Sequence, residues 1–148
     1  MNKIDKVMFT GKTHTAASRR DGTSRGGHGA LDIQLSTGDK NEEHFAAVPP
    51  HPTAERLFAG AWSACYTAAL GVVAGQMKVK LPPDLSVDIE VDLGQSGTAW
   101  LLQARLNVRA PGLERDAVET LAHGAHEICP YSKATRSNID VAINVATS

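Results

Sequence analysis

Hydrophobic and polar residues alternate along several stretches of the chain, with the period of two that is typical of half-buried strands. The clearest pair is "SVDIEVDL" followed by "AWLLQARLNVRA", and the turn "GQSG" separates them. Acidic residues on the polar face of the first can pair with arginines on the second, which predicts a solvated hairpin face. In chain order, the predicted strands are 6–17, 30–36, 86–93, 99–110 and 138–145, with a possible short strand at 43–48.

Two stretches show helical periodicity instead. Apolar residues recur at i, i+3 and i+4 over 53–77, and small residues fill most other positions, which indicates a buried helix rather than a surface one. A second helix is predicted at 112–129, where Pro130 must end it. Residues 6–17 and 30–36 are expected to form a hairpin across the glycine-rich turn 19–29. The order β-β-α-β-β-α-β predicts an α+β fold in a single domain, 1–148.

Composition narrows the function classes. Hydrophobic residues make up 42% and charged residues 21% of the 148 residues, as in an ordinary globular chain. A net charge of −1 gives no basic field for nucleic acid or an anionic membrane. We expect no apolar run to approach the roughly 18 residues that a membrane span needs. The start "MNKIDKVMFTGK" lacks an apolar core and is not expected to be a secretory signal. We therefore expect a cytoplasmic protein with no nucleic-acid or membrane partner.

Two cysteines are the candidate reactive groups. In a reducing compartment they are more typical of free or redox-active thiols than of a permanent disulfide. Taken alone, Cys65 could equally be a small core residue of an apolar helix. Cys129 could equally be a packing residue at the end of a helix. His123, His126 and Cys129 do not converge on one helix face, so no metal site is expected, and no motif indicates a cofactor.

Two longer motifs identify a family resemblance. "ERLFAGAWSACYTAAL" together with "AHEICPYSKATRSNIDV" resembles the organic hydroperoxide resistance (Ohr) branch of the OsmC/Ohr family. The resemblance extends from "KVMFTGKTHT" and "RRDG" to the last strand. The chain departs from the family pattern at "VPPHPTAE", and also at Trp62, Lys133 and Ser137, where tyrosine, asparagine and glycine are usual.

The resemblance implies roles for four residues. Cys65 would be the peroxidatic cysteine and Cys129 the resolving one, Arg20 the activating cation, and Glu55 the carboxylate that holds Arg20. The chemistry suits these types, because the thiolate attacks the peroxide and a permanent cation stabilises it. The implied reaction is reduction of organic, including fatty-acid, hydroperoxides to alcohols through a Cys65 sulfenic acid and a disulfide. A dithiol such as dihydrolipoamide on a lipoylated protein would then reopen the disulfide.

Three aromatic residues, Phe58, Trp62 and Tyr131, are candidates for an apolar wall that binds the substrate, although each also suits core packing. If the first helix is unbroken, Glu55 and Cys65 lie roughly 15 Å apart. Either Arg20 bridges that gap or the Arg20–Glu55 pair comes wholly or partly from a second chain. We favour the second, an intertwined homodimer with antiparallel sheets packed around long buried helices.

Two other functions remain open at this point. The same disulfide could serve a non-enzymatic redox sensor or stress-response binding protein, and the fold could be kept as a structural domain. A sensor has less need of an organised cation, so the "RRDG" motif with Glu55 favours the peroxidase.

Overall fold

The computed structural model describes residues 3–16, 35–38, 42–45 and 54–148. These fall into two compact units, one of residues 1–18 and 54–148 and one of residues 19–53. The strands are β1 (Lys6–Ala16), β2 (Leu35–Gly38), β3 (Glu42–Phe45), β4 (Ser86–Ser96), β5 (Ala99–Arg109) and β6 (Asp140–Ala146). The helices are α1 (Ala54–Met77), α2 (Arg115–Ile128) and α3 (Pro130–Thr135). This is the predicted α+β class.

The larger unit holds a four-stranded sheet in the order β1-β4-β5-β6. β1 pairs antiparallel with β4, and β4 forms the predicted antiparallel hairpin with β5. β6 runs parallel to β5, so the prediction of purely antiparallel sheets was wrong for this pair. The reason is the connection between them. α2 and α3 return the chain to the end of the sheet at which β5 begins, so β6 can run in the same direction as β5.

The smaller unit contains the β2–β3 pair, which is antiparallel. β3 overlaps the short strand predicted at 43–48, and β2 overlaps the end of the strand predicted at 30–36. The expected hairpin between 6–17 and 30–36 involves residues 17–34, which lie outside the described residues. Within the described part, β1 pairs with β4.

The helix predictions differ from the structure at Pro130. α1 is a single helix of 24 residues, as predicted, and α2 ends before Pro130. A further short helix, α3, begins at Pro130 itself, which the sequence analysis missed. Proline ends a helix that precedes it but suits the first position of a new one, where no backbone N–H donor is needed.

α1 is the central helix of the core. Its largest buried side chains, Trp62, Tyr66 and Leu70, lie in one hydrophobic cluster with the apolar residues of β4, β5 and α2. By length and composition alone α1 could also cross a membrane, since an 18-residue window has mean hydropathy 1.5, so the expectation that no run approaches that length needs correction. Core helices pass the same test, and the packing of these three side chains identifies α1 as one.

The described residues leave one side of α1 uncovered, since only 44% of that apolar window is buried. Between Ala61 and Gly75 the exposed positions recur at helical spacing and are small or apolar, with Val72 52% exposed. They are Ala61, Ala64, Ala68, Gly71, Val72 and Gly75. We call these six residues the α1 stripe.

The polar face of the sheet contains a charged cluster. Arg105 donates to both carboxylate oxygens of Asp92, at 2.6 and 2.9 Å, and to Glu90 at 2.7 Å. Lys12 of β1 also pairs with Glu90. This confirms the predicted cross-strand pairing of acidic and basic residues, but Asp92 is buried rather than solvated. The Arg105 guanidinium is the main cause that lowers the pKa of Asp92 to about 2.

Gly11 of β1 sets how closely the strand approaches the start of α1. A Cβ at Gly11 would lie 2.6 Å from the carbonyl carbon of Glu55 and 2.5 Å from the backbone nitrogen of Arg56. Backbone atoms cannot move aside as a flexible side chain can. The first turn of α1, which carries Glu55, therefore depends on glycine at this position.

Gly11→Ala is expected to lower the free energy of unfolding by about 1–3 kcal/mol, because the added methyl group overpacks the contact between β1 and α1. Urea denaturation would measure the change. Gly60→Ala is the matched control on the other side of the same contact, where the nearest atom is 3.8 Å away. Alanine there should be neutral or stabilising by up to about 1 kcal/mol. Equal losses in both variants would contradict the close approach at Gly11.

Asp92→Asn is expected to cost about 2 kcal/mol of unfolding free energy at neutral pH. Because the pKa of Asp92 is lowered from 3.8 to about 2 in the folded chain, its stabilisation is present above pH 4 and is lost as pH falls toward 2. The stability difference between wild type and variant should therefore shrink over that range in urea titrations. Asp88→Asn, on the same strand but in an exposed pair with His14, is the control and should change stability little.

Candidate active site

Two free cysteines meet inside the larger unit. The Sγ atoms of Cys65 and Cys129 are 3.0 Å apart, and neither is in a disulfide. Cys65 is partly buried in the middle of α1, whereas Cys129 is fully buried. A disulfide bond is about 2.05 Å long, so a shift of about 1 Å would join the two sulfurs. The sequence spacing of Cys65 and Cys129 did not predict this contact, which the fold creates.

Cys129 stands at the junction of two helices. Its backbone is extended, with φ −61° and ψ 122°, so it ends α2 and begins α3 at once. Its N–H donates to the carbonyl of Ala125, and its own carbonyl accepts from the N–H of Lys133. Pro130 then enforces the change of direction. The Cys-Pro pair is thus a sharp corner that presents the thiol towards α1.

Two buried aromatic residues of α1 tie it to this corner. The indole Nε1–H of Trp62 donates to the hydroxyl of Ser132 in α3 at 3.0 Å. The hydroxyl of Tyr66 donates to the carbonyl of Ala122 in α2 at 2.7 Å. Trp62 precedes Cys65 by one helical turn, so the first of these bonds lies directly beside the cysteine pair.

The described surroundings do not favour a thiolate at Cys65. Burial is the largest cause that raises its pKa, and the hydrogen bond with Cys129 raises it further. A backbone hydrogen bond from Tyr131 acts in the opposite direction and lowers it. The net pKa is raised, and none of these contributions from residues 3–16 and 54–148 is a cation. A reactive thiolate would therefore need positive charge from elsewhere.

The two predicted activating residues are placed differently. Glu55 lies in the first turn of α1, and the helix continues without a break to Cys65, which puts their backbones roughly 15 Å apart as expected. Arg20 lies outside the described residues. The end of β1 is fixed to α1 by a hydrogen bond of 2.6 Å between the hydroxyls of Thr15 and Ser63, and Ser63 is two residues before Cys65.

The three candidate substrate-binding aromatics occupy different environments. Tyr131 is 43% exposed and Phe58 is partly buried, so both keep surface that a substrate could touch. Trp62 is fully buried, with its ring centroid 5.6 Å from that of Phe58. A role for Trp62 in binding substrate stays a prediction. In this structure its buried ring packs against the ring of Phe58. Among the described residues no group of three or more His, Cys, Asp or Glu could hold a metal ion.

Comparison with known proteins addresses the resemblance directly. A family model described as OsmC-like protein matches residues 46–144, which is more than half of the chain. This chain belongs to the OsmC/Ohr family. It is 37% identical over 146 residues to the organic hydroperoxide resistance protein of Xanthomonas axonopodis pv. citri, covering 99% of this chain and 100% of the relative.

Solved structures of Ohr proteins agree with this assignment. An organic hydroperoxide resistance protein from Elizabethkingia anophelis is 26% identical with a TM-score of 0.64, covering 98% of this chain and all of that one. One from Vibrio cholerae, with captopril bound in one of its active sites, is 30% identical with a TM-score of 0.61 over 98% of this chain and 96% of that one. The predicted Ohr resemblance is confirmed.

Two residues of the Ohr motif, Tyr131 and Ser132, make hydrogen bonds near the cysteine pair that were not predicted from the sequence. Ser132 belongs to the quoted "CPYS" stretch, yet nothing in the sequence signalled that its hydroxyl receives the indole N–H of Trp62. The backbone of Tyr131 was missed for the same reason, because main-chain hydrogen bonds leave no trace in residue type. α3 itself was the missing element, and Pro130 directly after Cys129 was the signal that could have indicated it.

Proposed function

We propose that this chain is a thiol-dependent peroxidase that reduces organic hydroperoxides to alcohols. The observation that carries the proposal is the pair of free thiols, Cys65 and Cys129, 3.0 Å apart in a fold whose relatives are organic hydroperoxide resistance proteins. A structural cysteine needs no second thiol at that distance. An attacking cysteine does, because its oxidised form must be trapped before it oxidises further.

The proposed cycle has three steps. The Cys65 thiolate attacks one peroxide oxygen, the O–O bond breaks, and the alkoxide takes a proton and leaves as an alcohol, so that Cys65 becomes a sulfenic acid. The sulfur of Cys129 then attacks that of Cys65, and its proton leaves with the hydroxyl as water, which forms the disulfide. A dithiol finally reduces the disulfide through a mixed disulfide. We propose dihydrolipoamide on a lipoylated protein as that dithiol, in a reducing cytoplasm.

The activating cation in this proposal is Arg20. Burial and Cys129 raise the pKa of Cys65, so the thiolate must be stabilised by a charge that the described residues do not provide. Arginine keeps its charge at every physiological pH and can also receive negative charge that develops on the peroxide oxygens. Arg20 follows Thr15 by five residues, and five extended residues span at most about 18 Å. Thr15 is bonded to Ser63 of α1, so the length of chain between Thr15 and Arg20 permits the contact that this proposal requires.

Glu55 is the proposed partner that orients the guanidinium. It cannot contact Cys65 of its own helix, because roughly 15 Å of unbroken helix separates them. We propose that a second copy of the chain completes the site. The α1 stripe supports this, since an apolar helix face of this length is usually covered by protein. Phe58, Trp62 and Tyr131 remain the proposed apolar wall that favours organic substrates over hydrogen peroxide.

Turnover distinguishes the peroxidase from a redox sensor. With excess dihydrolipoamide, the wild-type protein should consume many equivalents of tert-butyl hydroperoxide and far fewer of hydrogen peroxide, measured by peroxide loss. Cys65→Ser should abolish consumption. In a separate assay at low dihydrolipoamide concentration, Cys129→Ser should stop after about one equivalent while the wild type continues. Arg20→Ala should slow the reaction by roughly 10²–10³-fold. Consumption of a single equivalent by the wild type would indicate a sensor, and two intact thiols would indicate a structural domain.

A mixed dimer tests whether Glu55 acts across two chains. Chains carrying Cys65→Ser and chains carrying Glu55→Ala, each with a different affinity tag, are refolded together and the doubly tagged species is isolated. If the site is shared, one of its two sites contains both wild-type residues, and activity should return to roughly half that of the wild type. Activity no greater than half that of the Glu55→Ala dimer would place Glu55 in its own chain. Failure to obtain any doubly tagged species would contradict the dimer.

A further inference from the structure

The buried hydrogen bond between Trp62 and Ser132 lies symmetrically about the cysteine pair. Trp62 is three residues before Cys65, and Ser132 is three residues after Cys129. Both side chains are fully buried, and the indole N–H donates to the hydroxyl oxygen at 3.0 Å. Each partner is therefore held about one helical turn from one of the two sulfurs.

This bond resists separation of α3 from α1. An indole has a single donor and no acceptor, so Trp62 loses its whole polar interaction if Ser132 moves away. A buried donor without a partner is costly, and that cost opposes any rotation of the corner at Cys129. α3 has only six residues and little core of its own, with Ser132 and Thr135 its buried residues, so this contact is a large part of its attachment.

We infer that the Trp62–Ser132 hydrogen bond is a positioning device that holds the Cys129 sulfur within reach of the Cys65 sulfur during disulfide formation. This inference rests on the proposed peroxidase function, and it assigns Trp62 and Ser132 as positioning residues of the resolving step. It explains why the sulfurs lie 3.0 Å apart although one belongs to a rigid helix and the other to a short corner. The bond acts on the disulfide-forming step, whichever hydroperoxide produced the sulfenic acid, and Trp62→Phe keeps an aromatic ring at this position.

Two reactions compete for the Cys65 sulfenic acid. In the first, the Cys129 sulfur attacks it, and the disulfide and one water are formed. In the second, another hydroperoxide molecule transfers an oxygen to it, which gives a sulfinic acid and one alcohol. Because both begin from the same sulfenic acid, the ratio of sulfinic acid to disulfide is independent of how fast that acid was formed. The ratio therefore reports the placement of Cys129.

Trp62→Phe, Ser132→Ala and the double variant are treated with increasing tert-butyl hydroperoxide without a reductant. Intact mass then gives the ratio of sulfinic acid to disulfide at each concentration. Both single variants should raise this ratio roughly tenfold over the wild type, since displacements near 1 Å slow positioned reactions strongly. The double variant should give the same ratio as each single variant, because all three variants lack the same hydrogen bond. Ser132→Ala barely changes side-chain volume, so it keeps the test valid if Trp62→Phe does not fold.

Tyr66→Phe is the matched control. It removes a buried hydrogen bond of similar length from the same helix, but one that ends on α2 at Ala122 rather than on α3. Its ratio should stay within about twofold of the wild type. An equal rise in Tyr66→Phe, a multiplied effect in the double variant, or unchanged ratios in both single variants would overturn the inference. A wild-type protein that forms no disulfide at all would instead overturn the proposed function.

Discussion

The attachment of the Cys129 corner to α1 is the contact on which the proposed chemistry of this chain depends. α1 is rigid because three of its large side chains lie in the core and β1 packs against its first turn at Gly11. Against that fixed helix, α2 and α3 are joined at a corner with one extended residue. Hydrogen bonds from Tyr66 and Trp62 fasten one helix on each side of the corner. In the inference drawn above, the short distance between the sulfurs depends on the Trp62 bond, because that bond fastens the helix that begins at the corner.

The same burial creates a conflict that the fold must resolve. Burial brings Cys129 against Cys65, but it also raises the pKa of Cys65. A thiol that stays protonated does not attack a peroxide. The backbone hydrogen bond from Tyr131 offsets only part of this effect. An arginine near a buried thiol would counter this rise, because it lowers the thiol pKa and cannot lose its own charge.

The hydrophobic pattern was sufficient for most of the elements and their class, and the reasons for the exceptions are specific. Alternation in β4 and β5 predicted their hairpin and the pairing of its acidic face with its basic one, of which Glu90 and Arg105 are an example. It could not predict the burial of Asp92, which depends on the bidentate contact with Arg105. Nor did it give the parallel pairing of β6, which depends on where α2 and α3 return the chain. Cys65 and Cys129 were identified through the family resemblance, while their contact is a product of tertiary structure.

The α1 stripe bears on how a complete site could be assembled. Hydrophobic burial is the main driving force of association, and small residues allow two helix backbones to approach closely. The buried face of α1 is already occupied by Trp62, Tyr66 and Leu70, so a partner chain can reach only the opposite face. Cys65 is partly buried between these two faces. A second chain that covers the α1 stripe would therefore approach Cys65 from the side away from Cys129, which is where a stabilising cation and its carboxylate are needed.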